Sequence, residues 1–99
     1  ASGETAQLVA LAKKARQLGG AVAVLTTNRH ATITEFVDVI VQINAPSKNQ
    51  KDSVFRSAQP MASLYEQALL VIADALVMKM AAESGAPESE LFKRHANLE

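Results

Sequence analysis

The sequence contains no cysteine and no tryptophan, and only four of its 99 residues are aromatic. Because there is no thiol, the chain has neither a disulfide framework nor a cysteine-ligated metal site. Ten lysines and arginines balance ten aspartates and glutamates, so the formal net charge is zero. A nucleic-acid partner or an anionic membrane surface would require a basic face, and the balanced charge argues against both.

Long apolar runs are also missing. The most apolar run, residues 68–73, is stopped by Asp74 and is too short to cross a bilayer. The first residues are polar and lack the basic segment of a signal peptide, so we expect a cytoplasmic protein. The chain length allows one domain at most, and the prevalence of Ala, Val, Ile and Leu is typical of α/β proteins with packed parallel strands.

A small polar turn at residues 2–5, Ser-Gly-Glu-Thr, leads into a run with helical periodicity; we call it the opening turn. The first N–H groups of a helix have no partner within it, and its dipole favours negative charge there. The opening turn is therefore a candidate anion site, in which Gly3 lets the backbone approach and Ser2 and Thr5 add hydroxyl donors. The alternative is an ordinary serine N-cap with an acidic residue in the first helical turn.

Two runs of β-branched and apolar residues, at 21–26 and 39–43, predict strands buried on both faces, as in a parallel sheet. A short helix at 31–37 would join them in a right-handed βαβ unit. Periodicity also predicts a helix at 4–18, whose apolar stripe consists of Leu8, Leu11, Ala12, Ala15 and Leu18.

A long helix is predicted at 60–82, starting at Pro60, and a short one at 88–94. The polar loop at 44–57 is either a solvated connector or an active-site lid. The long helix is apolar on nearly all sides, and two parallel strands offer too little surface to cover it. We therefore expect the chain to be part of a larger sheet, completed by preceding chain or by other subunits, and to form a homo-oligomer, a dimer or a tetramer.

Several segments resemble a known family. The opening turn, the strand that ends in Thr-Thr-Asn at 26–28, and the run Val-Asp-Val-Ile-Val at 37–41 resemble the second half of a sugar isomerase (SIS) domain. Residues 57–67 and 92–99 resemble the 6-phospho-3-hexuloisomerases of the ribulose monophosphate pathway of formaldehyde fixation. The resemblance implies an α/β fold, a three-layer flavodoxin-like sandwich with a parallel sheet. Residues 1–99 would be the C-terminal part of a single SIS domain, with two strands and three to four helices.

The resemblance also implies a reaction. These enzymes interconvert 3-hexulose 6-phosphate and fructose 6-phosphate through a cis-enediol, without a cofactor or an obligatory metal. The phosphorylated sugar would be anchored by Ser2, Gly3, Glu4 and Thr5, with the Glu4 N–H pointing to the phosphate and its carboxylate pointing away. The alternative function is a non-catalytic SIS module that binds a sugar phosphate or serves oligomerisation.

Two residues are candidates for the proton transfers. Glu66 lies among apolar neighbours near the start of the long helix, so burial is expected to raise its pKa and suit it as the base. The alternative is a capping box in which Glu66 bonds back to the Ser63 N–H. His95 is a candidate for ring opening or proton transfer between oxygens. Gln59 is a candidate for contacts with substrate hydroxyls, whereas surface positions are expected for Lys48, Lys51 and His30.

Overall fold

The structure, a computed structural model, describes residues 1–48 and 53–93. In this part of the chain the elements, in order, are α1 (Ala6–Gln17), β1 (Ala23–Thr26), a 3-10 helix (Thr32–Phe36), β2 (Val39–Gln42), α2 (Ser63–Ser84) and α3 (Glu88–Lys93). The two strands pair in parallel, with Ala23 opposite Val39 and Thr26 opposite Gln42. The predicted α/β fold with two parallel strands is confirmed, and each element lies within a few residues of its predicted position.

Helices pack on both faces of β1, whose side chains alternate between the two faces of the sheet. Val24 of β1 packs with Ala12 of α1 and with Ile33 of the 3-10 helix. Leu25, which points to the opposite face, packs against Tyr65 at the start of α2. The order of layers is therefore α1 with the 3-10 helix, then the sheet, then the start of α2, as in a three-layer sandwich.

The chain divides into two compact units, Ala1–Leu69 and Leu70–Glu99. The first unit contains both strands and two small apolar clusters, one around Ile33 and one around Tyr65. In the second unit, the large apolar side chains of α2 that are more than half exposed are Leu70, Val71, Leu76, Val77, Met78 and Met80. Across residues 1–48 and 53–93, no helix combines the length and hydrophobicity that a bilayer span requires. A single domain over residues 1–99 stays a prediction.

The apolar stripe predicted for α1 is wrong in part. Ala12 is buried, but Leu8, Leu11 and Leu18 are 55%, 69% and 74% exposed. The side of the helix that faces its neighbours carries Val9 and Ala12, with charged residues beside them. Arg16 forms an ion pair with Asp38 just ahead of β2, and the Lys13 ammonium lies 5.9 Å from the ring centroid of Phe36 in the 3-10 helix.

Burial of the strands on both faces is also wrong for this chain. α2 packs on Leu25 of β1, but Val39 and Val41 of β2 are 53% and 37% exposed. The connection at 31–37 is a 3-10 helix, which places side chains three residues apart on one face. This spacing lets Ile33 and Phe36 pack in the cluster beneath α1.

The long helix begins at Ser63, and the prediction that Pro60 is its first residue is wrong. Met61 has φ +53°, which lies outside the right-handed helical region. The Pro60 carbonyl accepts hydrogen bonds from the Ser63 N–H at 3.2 Å and from the Ser63 hydroxyl at 2.7 Å. Because the Ser63 N–H is bonded to Pro60, the alternative capping box with Glu66 does not form.

Candidate active site

The opening turn is held at the carboxyl end of β1 by backbone contacts. The Ala1 carbonyl accepts hydrogen bonds from the Thr27 N–H at 3.0 Å, the Thr26 hydroxyl at 2.8 Å and the Thr27 hydroxyl at 3.2 Å. The Gly3 carbonyl accepts one from the Ile33 N–H at 3.2 Å. Thr26 is fully buried, so this junction is part of the folded interior. Open α/β sheets bind their ligands at this end of the strands.

Gly3 is required by packing as well as by its backbone angle. Its φ is +76°, and a Cβ at this position would lie 2.6 Å from the Ala31 Cβ and 3.0 Å from Ile33 Cγ2. The missing Cβ therefore faces the segment that leads into the 3-10 helix. This close contact gives the glycine a structural role that the expectation of backbone approach to an anion did not include.

The start of α1 lacks both features of the expected cap, a capping side chain and an acidic residue in the first turn. Its N-cap is Thr5, which makes no side-chain capping bond, and no acidic residue lies in the first turn. The alternative of a serine cap followed by an acid is therefore wrong, because Ser2 and Glu4 both precede the cap. The helical bonds begin with the Val9 N–H, which donates to the Thr5 carbonyl at 3.0 Å. The N–H groups of the first turn are left without partners inside the helix, as an anion site requires.

Glu4 has its carboxylate bonded to protein. It accepts hydrogen bonds from the Thr32 N–H at 3.0 Å and from the Thr32 hydroxyl at 2.6 Å. Both bonds lower the pKa of Glu4, and the bond from the hydroxyl has the larger effect. The Glu4 N–H lies 3.3 Å from the Ser2 hydroxyl, to which it donates. This arrangement agrees with a carboxylate directed to the protein, while the role of Glu4 in phosphate binding stays a prediction.

A cavity of about 400 Å³ with a mixed polar and apolar lining adjoins the opening turn. Its walls come from the opening turn, from the residues that follow β1, from the end of β2 and from the loop beyond it. They are Ser2, Glu4, Thr27, Asn28, Gln42, Ser47, Ser53, Val54 and Phe55. Sequence reasoning did not assign Asn28, Gln42 or Ser47 to the site. The available signal was their position at or shortly beyond the carboxyl ends of two parallel strands, which meet at one edge.

Neither Glu66 nor Lys48 lines this cavity. Burial lowers the pKa of the Ala1 amino group, the Glu66 carboxylate raises it, and the Lys48 ammonium lowers it. Both side chains are therefore within electrostatic range of the residue that leads into the opening turn. Glu66 is exposed, so the expectation that it is buried among apolar neighbours is wrong for this chain. It is the outward-facing neighbour of Tyr65, which fills the apolar cluster beneath it.

The remaining predicted residues are less closely associated with the cavity. The Gln59 amide nitrogen donates to the Gln67 side-chain oxygen at 3.0 Å, and Gln59 does not line the cavity. The His30 N–H donates to the Asn28 side chain at 2.9 Å, and His30 is exposed. His95 and Lys51 lie outside the described residues. Within the described ranges, no group of three or more His, Asp and Glu side chains is arranged to hold a metal ion.

Comparison with known proteins places this arrangement in a family. The SIS domain matches residues 1–78, and the chain belongs to that family. It is 40% identical over 98 residues to the 3-hexulose-6-phosphate isomerase of Bacillus subtilis, covering 99% of this chain and 53% of that protein. It is 35% identical over 98 residues to the 3-hexulose-6-phosphate isomerase of Mycobacterium gastri, covering 99% of this chain and 49% of that protein.

A solved structure gives the same picture of the fold. This protein, described only as "Crystal structure of an hypothetical protein", matches with a TM-score of 0.75 and 28% sequence identity, over 98% of this chain and 52% of that one. The sequence matches of the preceding paragraph support the resemblance to the hexulose-phosphate isomerases over the whole chain. The chain spans about half the length of the relatives that it matches.

Proposed function

We propose that this chain supplies part of the active site of a sugar-phosphate isomerase that interconverts 3-hexulose 6-phosphate and fructose 6-phosphate in the ribulose monophosphate pathway. The observation that carries the proposal is the cavity beside the opening turn, six of whose nine lining residues carry a hydroxyl or an amide side chain. Its volume of about 400 Å³ lies within the range of about 300–1,000 Å³ usual for small-molecule sites. The names of the curated relatives suggest the particular substrate.

The phosphate would bind at the opening turn. The free N–H groups at the start of α1 and the hydroxyls of Ser2 and Thr5 would donate to it. Glu4 would take part through its N–H, which would exchange its bond to the Ser2 hydroxyl for one to the phosphate, while Thr32 holds the Glu4 carboxylate. Anchoring the phosphate fixes the distance from the phosphate to the reacting carbons, which is how a remote charged group contributes to the rate.

The sugar chain would extend along the strand ends. Asn28 and Gln42 carry amides that both donate and accept, and Ser47 carries a hydroxyl, so the three suit a chain of adjacent hydroxyl groups. We add these residues to Gln59, for which a contact with the substrate stays a prediction. Gln59 is bonded to Gln67 on α2, one residue beyond Glu66.

Glu66 would act as the base. Its carboxylate would remove the proton from C2 of the 3-ketose, and the C3 carbonyl oxygen would gain a proton to give the C2–C3 cis-enediol. Return of the carbon-bound proton to C3, with loss of the proton from the C2 hydroxyl, leaves the carbonyl at C2 and balances the reaction. His95 is our candidate for moving the oxygen-bound protons. No resident cofactor enters this scheme.

The exposure of Glu66 favours a second candidate function, a SIS module that binds a sugar phosphate without turning it over. A solvated carboxylate lacks the environment that usually tunes a catalytic base, and surfaces from outside this chain would have to supply it. A cytoplasmic location and a homo-oligomeric state also stay predictions.

The first prediction concerns Glu66→Gln. A coupled assay would follow fructose 6-phosphate formation by the chain extended to the full length of its relatives, and calorimetry would measure fructose 6-phosphate binding by the same protein. We expect turnover to fall by about 10²–10⁴-fold with the dissociation constant changed less than about twofold, because the amide keeps the shape but cannot accept the proton. Glu83→Gln is the matched control, since Glu83 is an exposed glutamate of α2 in the second unit.

Each outcome selects one hypothesis. Substantial turnover by Glu66→Gln would eliminate Glu66 as the base. Binding without turnover by the unsubstituted full-length protein would select the non-catalytic module. If neither binding nor turnover occurs, the proposed site of this chain is wrong.

A further inference from the structure

We propose that Thr32 is a positioning residue for the phosphate site, because it holds the Glu4 carboxylate against the 3-10 helix and so prevents it from turning towards a phosphate at the opening turn. Thr32 does not line the cavity, so its effect on the ligand would pass through Glu4. This role rests on the proposed function, since it requires that the phosphate of the substrate bind at the opening turn. It concerns the affinity of that site and not the proton transfers.

The wall of the cavity carries a negative charge. Among the described residues that line it, Glu4 has the only ionisable side chain, and the others carry hydroxyl, amide or apolar groups. The bonds from the Thr32 hydroxyl and N–H lower the pKa of Glu4 below its ordinary value of 4.5, so the carboxylate is ionised at neutral pH. An ionised carboxylate repels a phosphate group nearby. Phosphate binding at the opening turn therefore depends on where this carboxylate is directed.

Two hydrogen bonds from a single residue fix that direction. The Thr32 hydroxyl donates to Glu4 Oε2 at 2.6 Å, and the Thr32 N–H donates to Glu4 Oε1 at 3.0 Å. Each carboxylate oxygen thus has its own donor, which fixes the orientation of the group as well as its position. Hydrogen bonds to an ionised acceptor are about twice as strong as those between neutral groups.

The segment that carries Thr32 also holds the backbone of the opening turn. The Ile33 N–H donates to the Gly3 carbonyl at 3.2 Å. On the other side of Thr32, Ala31 packs against Gly3 so closely that a Cβ on the glycine would lie 2.6 Å from the Ala31 Cβ. Ala31 and Ile33 are both buried, so the donors of Thr32 are presented to Glu4 from a fixed support.

The backbone and the side chain of Glu4 have different partners. Its N–H donates at 3.3 Å to the hydroxyl of Ser2, which lines the cavity, whereas its carboxylate is bonded to Thr32 outside the cavity lining. This separation leaves the N–H for the phosphate while the charge is neutralised in part by other donors. Glu4 and Thr32 are exposed, so water competes for their bonds and the expected effect on affinity is moderate.

Thr32→Val tests this role in the full-length protein used for Glu66→Gln. Valine keeps the shape and the N–H of threonine but lacks the hydroxyl, so the shorter of the two bonds to Glu4 is lost. Calorimetry should show that fructose 6-phosphate binds about three- to tenfold more weakly, because the carboxylate is released from one donor. Thr32→Ser keeps the hydroxyl and should bind within about twofold of the unsubstituted protein.

Two further measurements separate charge repulsion from a general loss of structure. Adding Glu4→Gln to Thr32→Val should restore the affinity to within about twofold of the unsubstituted protein, because the repelling charge is gone. Raising the salt concentration from about 0.05 M to about 1 M should reduce the effect of Thr32→Val to less than about twofold, because salt screens the repulsion.

Thr34→Val is the matched control. The Thr34 hydroxyl also belongs to the 3-10 helix, but it donates to the Ala31 carbonyl at 2.7 Å and not to Glu4. Removing it tests whether any lost hydroxyl bond of this helix weakens binding. We expect Thr34→Val to bind fructose 6-phosphate within about twofold of the unsubstituted protein at both salt concentrations.

The results distinguish the role of Thr32 from the proposed function. Unchanged binding by Thr32→Val, or weaker binding that neither Glu4→Gln nor salt reverses, would overturn the role of Thr32 and leave the phosphate site in place. Equal weakening by Thr34→Val would also overturn it. If the unsubstituted protein does not bind fructose 6-phosphate, the proposed function is wrong and this role with it. Thr32→Ala, which lacks the same hydroxyl, provides the test if Thr32→Val does not fold.

Discussion

Replacing Gly3 by alanine adds one methyl group at the junction between the opening turn and the sheet. The added Cβ would lie 2.6 Å from the Ala31 Cβ, closer than two carbon atoms approach without displacement, and 3.0 Å from Ile33 Cγ2. Both neighbours are buried, Ala31 at 1% and Ile33 at 7% exposure, so neither can move aside freely. The substitution also forces an L-residue to adopt φ +76°.

The two effects can be separated within this chain. A left-handed backbone angle costs a non-glycine residue about 1–2 kcal/mol, and overpacking a close contact costs about 1–3 kcal/mol. Gly3→Ala should therefore lower the free energy of unfolding by about 2–5 kcal/mol. Gly19→Ala is the matched control, because Gly19 has φ +80° and would place its Cβ within 4 Å of no other atom. It should lose only the backbone term of about 1–2 kcal/mol.

Urea denaturation of the three proteins, followed by circular dichroism, measures both differences. Fructose 6-phosphate added to each protein then reports on the site, since a ligand that binds only the folded state raises its stability. We expect Gly3→Ala to lose this stabilisation and Gly19→Ala to keep it. Equal losses of stability in the two variants would refute the packing argument. If fructose 6-phosphate stabilised Gly3→Ala as much as the unsubstituted chain, the phosphate would not bind at the opening turn.

Two further predictions concern contacts that hold the sheet to its helices. Tyr65→Phe should lower the free energy of unfolding by about 1–3 kcal/mol in the same urea experiment, because the buried hydroxyl donates to the Leu25 carbonyl at 2.7 Å and its loss leaves that carbonyl without this donor. The hydrogen bond from the Val22 N–H, and to a smaller extent Arg16, lower the pKa of Asp38 below its ordinary value of 3.8. The ionised carboxylate therefore stabilises the fold above pH 3.8, and this stabilisation is lost as the pH falls through the lower pKa of the folded state. Asp38→Asn should flatten the fall in thermal midpoint between about pH 5 and pH 2; an unchanged slope would assign that fall to other carboxylates such as Glu4.

The order and type of the elements followed from local patterns that tertiary contacts did not override. Gly19 stops α1 in a left-handed conformation, and the β-branched runs formed both strands near their predicted positions. The start of α2 was predicted too early because Pro60 suits a first helical turn. The left-handed angle at Met61 decides the boundary instead, and it is a property of the folded turn that no helix propensity encodes.

The rotation of α1 could not be predicted from its own periodicity. Its leucines form a regular apolar stripe, but the side of the helix that packs on the protein carries Val9 and Ala12. On that side Arg16 also pairs with Asp38, 22 residues away. Asp38 also accepts a hydrogen bond from the Val22 N–H at 2.8 Å, which joins the end of α1, the start of β1 and the start of β2. Contacts of this range depend on the topology and leave no periodic signal.

The sequence predicted those parts of the candidate site in which a residue type determines the local backbone conformation. A glycine in a polar turn before a helix marked the opening turn, whereas Asn28 and Gln42 are ordinary polar residues until the parallel register brings them together. The expected burial of Glu66 failed for another reason. Apolar neighbours indicate that a surface will be covered, but they do not say whether the cover belongs to the same polypeptide.

Substitutions at exposed positions and at Gly3 therefore report on different things. Glu66, Val39 and the leucines of α1 are exposed in a chain that spans about half the length of its relatives, so their final environment depends on surfaces outside it. Gly3 is different, because Ala31, Ile33 and Thr26 surround it within the same unit. A loss of ligand stabilisation in Gly3→Ala would therefore report on this chain's own part of the site, whatever completes the rest.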